Sequence, residues 1–262
     1  MDPLTLVILF VFGVAIGSFL NVVTLRYDGE HFLLNASAIG GRSHCMHCKK
    51  TLRWFELVPI VSFLIQGGRC RECKARLAIQ YPIVELLSGI IFVLVPFTLA
   101  GTALAATLWV AVFEALLMMA VIDIRLGIIP DEINIFLGIV GILLAIVPGW
   151  QGSAVLSKLI GAAVAGVFFA LLIAVTRGKG MGMGDLKLAI PLGLIFGWPD
   201  IIFLLAFSFI IGAIVGVCAI VRGKSSMKST LPFGPFLALG AVTMFFWGLP
   251  ILGWYLSILG IR

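Results

Sequence analysis

The sequence predicts an all-α polytopic membrane protein: about eight transmembrane helices, with a small polar domain inserted after the first. Three observations predict it. Of 262 residues, 61% are hydrophobic and 11% charged, against roughly 45–50% and about 25% in a soluble domain. The apolar residues gather into runs near the about 20 residues that a bilayer-spanning helix needs. Between Arg26 and Tyr81 the character changes, and charged residues, turn residues and four of the five cysteines concentrate there. So few charges cannot cover a soluble globule; lipid must supply the cover.

The apolar runs are Leu4–Leu25, Ile83–Leu99, Thr102–Ile122, Ile133–Val147, Ala154–Val175, Ile201–Val221 and Leu231–Leu249, with a shorter run, Leu186–Trp198, before the sixth of these. The first lacks a basic n-region and a small-x-small cleavage site, so it reads as a span and not as a cleaved signal. No internal repeat or low-complexity tract is apparent. The tail after Pro250 either continues the last helix or lies in the interface.

Charge sets the expected topology. With the N-terminus outside, one side receives Arg26–Tyr81, the loop with Asp123 and Arg125, the loop with Arg177 and Lys179, and Arg222–Lys228. All but Lys158 and Arg262 of the 18 basic residues fall there, so that side is cytosolic. Leu186–Trp198 must then count as a crossing, because otherwise Arg222, Lys224 and Lys228 would lie outside. The net charge of +6 is thus explained by membrane topology and calls for no nucleic-acid partner.

Cys45-x-x-Cys48 and Cys70-x-x-Cys73 are two knuckles that together supply the four thiolates of a closed, structural zinc-type site. Disulfides fit a reducing cytosol poorly. His44 and His47 flank the first knuckle, but four cysteines already complete the shell. Cys218, alone in an apolar run, reads as a small hydrophobe.

Ionisable groups in or beside spans are functional candidates by default. Here they are Glu85, Glu114, Asp123, Asp131 and Asp185. Asp123 ends the third span and Asp185 ends Gly180-Met181-Gly182-Met183-Gly184, at one depth on one face. Two carboxylates sharing a site cannot both ionise, so one holds a proton while the other activates water, as in aspartic peptidases. The glycines would let a substrate backbone approach and permit unusual dihedrals. Pairing of Asp123 with Arg125 and of Asp185 with Lys187 is the other reading, but each base stands two residues from its acid and so points to roughly the opposite side of a helix, which makes local pairing poor. These residues alone still leave both readings open. Asp131, after Pro130, reads as a helix N-cap. Glu85 and Glu114 carry no assigned role.

Gly17-Ser18-Phe19-Leu20-Asn21-Val22, both knuckles, Arg53-Trp54-Phe55-Glu56-Leu57-Val58-Pro59 and Tyr81-Pro82-Ile83-Val84-Glu85-Leu86 resemble the N-terminal half of bacterial type IV prepilin peptidases. Ile122-Asp123, Ile129-Pro130-Asp131 and Gly182-Met183-Gly184-Asp185-Leu186-Lys187-Leu188 resemble that family's catalytic segments, and Pro232-Phe233-Gly234-Pro235-Phe236 its C-terminal signature. Met46-His47 departs from the family, where proline commonly follows the first cysteine.

The resemblance implies a GxGD-type aspartic peptidase of the inner membrane, with Asp123 and Asp185 as the catalytic pair and prepilins or pseudopilins as substrates. It also implies S-adenosylmethionine-dependent methylation of the new N-terminus, since methylating members usually carry the cysteine-bearing domain. No sequence segment identifies the methyl-donor site or the oligomeric state. The expected domains are residues 1–25, the first transmembrane helix; 26–81, a cytosolic zinc-binding domain; and 82–262, the membrane-embedded peptidase. A proton- or cation-coupled transporter is the competing function, although transport sites usually lie near the midplane. A non-catalytic zinc-bearing assembly factor would leave the paired aspartates without a task.

Overall fold

The computed structural model describes residues 1–33, 35, 39–99, 103–146, 155–178, 180–222 and 231–258. The chain divides into two compact units, Met1–Ala100 and Gly101–Arg262. Helices dominate both, and among the described residues the only β features are two isolated bridges.

In the first unit, α1 (Pro3–Arg26) begins behind Asp2, whose carboxylate accepts the Thr5 N–H at 3.2 Å, with proline at the first helical position. It packs along α3 (Gln80–Thr98). The seam is made of small and polar residues, as packing between membrane helices requires. A Cβ on Gly17 would lie 2.8 Å from Glu85 Cα, so only glycine allows this approach. The Ser88 hydroxyl donates to Gly13 O at 2.6 Å, and Asn21 Nδ2 to Tyr81 O at 3.1 Å. The Gly17–Asn21 and Tyr81–Glu85 motifs are therefore two halves of one helix pair. Between them come a 3₁₀ turn, Trp54–Glu56, and a short helix, α2 (Val61–Ile65).

The second unit comprises α4 (Ala103–Leu126), α5 (Asp131–Ile146), α6 (Val155–Thr176), α7 (Met183–Phe196), α8 (Asp200–Val221) and α9 (Gly234–Ile258). Of α4's apolar window 61% is buried, against 17–33% in the other long helices, so α4 is the most enclosed of them. The last helix runs through Pro250 to Ile258, which resolves the course of the tail up to that residue.

Six described helices are long and apolar enough to cross a membrane: α1, α3, α4, α6, α8 and α9. The two others expected to span are shorter, α5 with 16 residues and α7 with 14. At 1.5 Å per residue they reach about 24 and 21 Å, below the about 30 Å of a hydrocarbon core. Short helices are tolerable at such depth where protein satisfies their ends. Here α6 does so for α7. Lys158 Nζ donates to Ile195 O at 3.0 Å, Ser157 Oγ donates to Trp198 O at 2.7 Å, and the Trp198 N–H donates to Ser157 O at 3.0 Å. Lys158, an exception to the charge asymmetry, is thus a buried cap for the α7 C-terminus. Bare backbone contact brings the two helices this close: a Cβ on Gly193 would sit 2.4 Å from Gly161 O.

Candidate active site and metal site

Asp123 lies in the last turn of α4, 4% exposed. The turn closes behind it, because Gly127 takes the left-handed conformation (φ +68°) and donates its N–H to Asp123 O at 2.8 Å. Its side chain reaches a second helix: Oδ2 accepts the N–H of Gly234, the first residue of α9, at 2.9 Å. The next residue is Pro235, which has no N–H, and Phe236 N–H bonds back to Phe233 O at 3.0 Å. Gly234 therefore supplies the donor that this helix start presents to the carboxylate, and the positive end of α9 favours its charge.

Asp185 is the third residue of α7 and 8% exposed. Its Oδ2 accepts the Gly182 N–H at 3.1 Å while its own N–H donates to Gly182 O at 3.2 Å, a reciprocal cap of the helix start. The turn that follows Asp123 packs against the start of α7, where a Cβ on Gly184 would lie 3.3 Å from Ile129 Cβ, and this brings the end of α4 to the helix start that carries Asp185. Two buried carboxylates, 62 positions apart in the chain, thus converge, each tethered to backbone N–H at a helix N-terminus. Such a pair shares a proton more readily than it carries two charges.

The nearby residues bear out one expectation and revise others. Lys187 does not pair with Asp185, as their spacing leads one to expect; its Nζ lies 2.8 Å from both carboxylate oxygens of Asp131, tying the start of α5 to that of α7. Asp131 is the first helical residue and an ion-pair partner, where an N-cap was expected. Gly182 has φ −80°, and neither it nor Gly184 is among the glycines with positive φ, so unusual dihedrals are not why glycine stands there. A Cβ on Gly184 would come within 3.3 Å of Ile129 Cβ, so that glycine serves the packing of α7 on the α4–α5 turn.

Glu114 is buried within α4. Glu85, in the first unit, accepts the Ile60 N–H at 2.7 Å and is buried. It clasps a β-branched residue held at φ +58°, a conformation that such residues rarely adopt unaided. Sequence reasoning gave Gly234 no role and passed over Asn134, whose buried amide carries no apolar-periodicity signal of its own.

The four knuckle sulfurs all lie within 4.8 Å of one another. Cys45 Sγ is 3.8 Å from Cys73 Sγ, and Cys48 Sγ is 4.0 Å from Cys70 Sγ. A tetrahedron with metal–sulfur bonds of about 2.3 Å has edges of about 3.8 Å, so the cluster fits one ion. Donation from backbone N–H groups, first that of Cys48, lowers the Cys45 thiol to about 6. At Cys48 the Lys50 N–H lowers the thiol, but burial and the neighbouring sulfurs outweigh it and push it up to about 11, so the four thiols do not ionise independently.

The two knuckles repeat each other at an offset of 25 residues, contrary to the expectation of no internal repeat. Cys45 N–H bonds Lys50 O and Cys70 N–H bonds Ala75 O, each at 2.9 Å. Leu52 N–H bonds Ser43 O and Leu77 N–H bonds Gly68 O, each at 2.8 Å. Lys49 and Lys74 occupy the same left-handed position, φ +60° and +56°. The Lys50–Glu72 contact, 2.5 Å, joins the two.

Comparison with known proteins agrees with this architecture. Residues 11–99 match the bacterial peptidase A24 N-terminal domain, and residues 110–217 match the type IV leader peptidase family. A prepilin leader peptidase/N-methyltransferase of Bacillus subtilis is 34% identical over 95% of this chain and 97% of its own. The chain belongs to the type IV leader peptidase family. Proteins of the same description from Burkholderia pseudomallei (strain 1026b) and Aeromonas hydrophila are 35% and 33% identical, over 92% and 95% of this chain and 84% and 93% of theirs. No solved structure matches. Within this leader peptidase family member, the N-terminal match takes in both knuckles and most of the α1–α3 seam. The family match takes in Asp123, Asp131 and Asp185 and ends before Gly234.

Proposed function

We propose that this chain is an aspartic endopeptidase that removes the basic leader of type IV prepilins or pseudopilins after a glycine, and that it methylates the new N-terminal residue with S-adenosylmethionine. The relatives' descriptions name both activities. The observation that carries the reading is the convergence of Asp123 and Asp185, buried and tethered at two helix starts. In the proposed step one carboxylate takes a proton from water as the oxygen attacks the scissile carbonyl, and the other gives its proton to the carbonyl oxygen. Collapse of the tetrahedral intermediate returns that proton and protonates the leaving amine. A leader ending in a carboxylate and a pilin with a free amino group result.

The remaining assignments rest on chemistry and charge. Zinc held by Cys45, Cys48, Cys70 and Cys73 would be structural, since four thiolates leave no position for water. Residues 26–81 would then be a cytosolic zinc-binding domain, following residues 1–25 as the first transmembrane helix and preceding the peptidase of residues 82–262. The distribution of basic residues supports an inner-membrane protein with its N-terminus outside and the dyad at the cytosolic edge. The test is cleavage of a prepilin by purified protein in detergent. Asp123→Asn and Asp185→Asn should each abolish the shortened product while the protein remains membrane-inserted. An active Asp185→Asn would defeat the assignment.

A further inference from the structure

Among the described residues of the second unit, Asn134 is a polar side chain that packing does not explain. Asn134, in the first turn of α5, is 9% exposed, and both its Nδ2 and its Oδ1 are buried without a hydrogen-bond partner. A position that served packing alone would avoid this cost by carrying leucine, because burying an amide unpaired is unfavourable. The first turn of a helix beside the dyad is where such a group could instead await a ligand.

Two registers place it. Helices α4 and α5 are joined by the short turn at Gly127. Asp123 lies three residues before the end of α4, and Asn134 three residues after the start of α5, so both are about 4.5 Å in from the turn. Helices α5 and α7 run parallel: Ile129 meets Gly184, Asp131 pairs with Lys187, and Gly141 faces Leu194 and Ile195. Asn134 therefore lies level with Leu188, about one turn deeper than Asp185. It is seven residues before Gly141, hence on the α5 face that meets α7. Asp185 and Leu188 share a buried face of α7.

We infer that Asn134 is a positioning residue that binds the main chain of the substrate just beyond the scissile bond. The inference rests on the dyad reading, in which the bond to be cut lies at Asp123 and Asp185 and the apolar segment continues into the bilayer. Residues following the cut then pass one turn deeper, at the level of Asn134. That stretch must be unwound to be cleaved, which exposes its N–H and C=O groups where water is scarce and unsatisfied backbone is costly. A primary amide offers one acceptor and two donors, the complement of a peptide group. The recognition is of backbone, so it fits pilin-type segments whose side chains vary.

The experiment uses the full chain in detergent with a purified prepilin, comparing Asn134→Leu, Asn134→Thr and Asp185→Asn for steady-state cleavage and thermal midpoint. Leucine should lower kcat/KM about tenfold, the size expected for a lost backbone hydrogen bond, while the thermal midpoint holds or rises. Threonine, which keeps one donor and one acceptor, should recover part of the loss. Affinity for uncleaved substrate, measured in the Asp185→Asn background, should fall by a similar factor when Asn134→Leu is added. Should Asn134→Leu stay within twofold of the wild type while Asp185→Asn is dead, the inference is overturned and the dyad stands. Equal losses of rate and thermal stability in the leucine variant, without loss of substrate affinity, would make Asn134 structural and overturn it too. An active Asp185→Asn would remove the dyad reading itself.

Discussion

Replacing Gly234 with alanine tests whether α9 positions the Asp123 carboxylate proposed to act in the dyad. The backbone there is not in the left-handed region, so alanine meets no conformational penalty and the perturbation is one methyl group. That methyl would stand 2.7 Å from Asp123 Oδ2 and 2.7 Å from Met119 Sδ. Ordinary contact begins near 3.4 Å, so the carboxylate must retreat by about 0.7 Å. Its bond from Gly234 N–H, 2.9 Å now, would stretch by up to that amount, toward about 3.6 Å at most, and weaken. A displacement of about 1 Å at reacting groups costs up to about a hundredfold in rate. The expected loss is therefore about 10- to 100-fold in kcat, or about 1.4–2.7 kcal/mol of transition-state stabilisation. Substrate affinity should change little, because Gly234 is argued to act only through Asp123. The assay is single-turnover cleavage of saturating prepilin in detergent, with the thermal midpoint measured on the same samples. Gly253→Ala is the control, since a Cβ there meets nothing within 4 Å. Wild-type kcat in Gly234→Ala would refute the reasoning. So would a loss that appears only as weaker substrate binding.

Three further outcomes follow from the same geometry. The purified chain should carry about one zinc, and serine at Cys45 and Cys48 should release it, as should acidification that protonates the thiolates; a metal-free protein with its knuckles intact by hydrogen exchange would contradict the assignment. Asp131→Asn should lower cleavage no more than about twofold, because its pair with Lys187 is largely exposed (61% and 47%) and such pairs contribute little; a dead enzyme would show that Asp131 does chemistry. In a substrate series varying only the residue before the cut, glycine should be fastest and a bulky β-branched residue much slower, since glycine resists helix formation and lets the carbonyl approach both acids; equal rates would reject this.

The sequence by itself determined the composition-driven features of this protein. Long apolar runs and scarce charge required membrane helices, because no other arrangement covers that much apolar surface. The four cysteines carried their spacing in the chain, and a two-residue gap is enough to aim both thiolates of a knuckle at one ion. Asp123 and Asp185 could be nominated, since an acid at the end of a span is costly enough to be noticed. Tertiary structure alone decided what each acid touches. Lys187 lies two residues from Asp185 yet reaches across to Asp131, because side chains two apart point to different sides of a helix. Asp123 is held by a backbone N–H 111 positions away, and a main-chain donor carries no signature in residue type. The repeat of the knuckles shows in the sequence as Cys45, Cys48, Lys49 and Leu52 against Cys70, Cys73, Lys74 and Leu77, and tertiary structure adds that the backbone bonds around them repeat too. Helix length divides the same way: hydropathy marks α7 as apolar, but its stop at Phe196 depends on Lys158 and Ser157 of α6, which take up the carbonyls that a longer helix would have satisfied for itself.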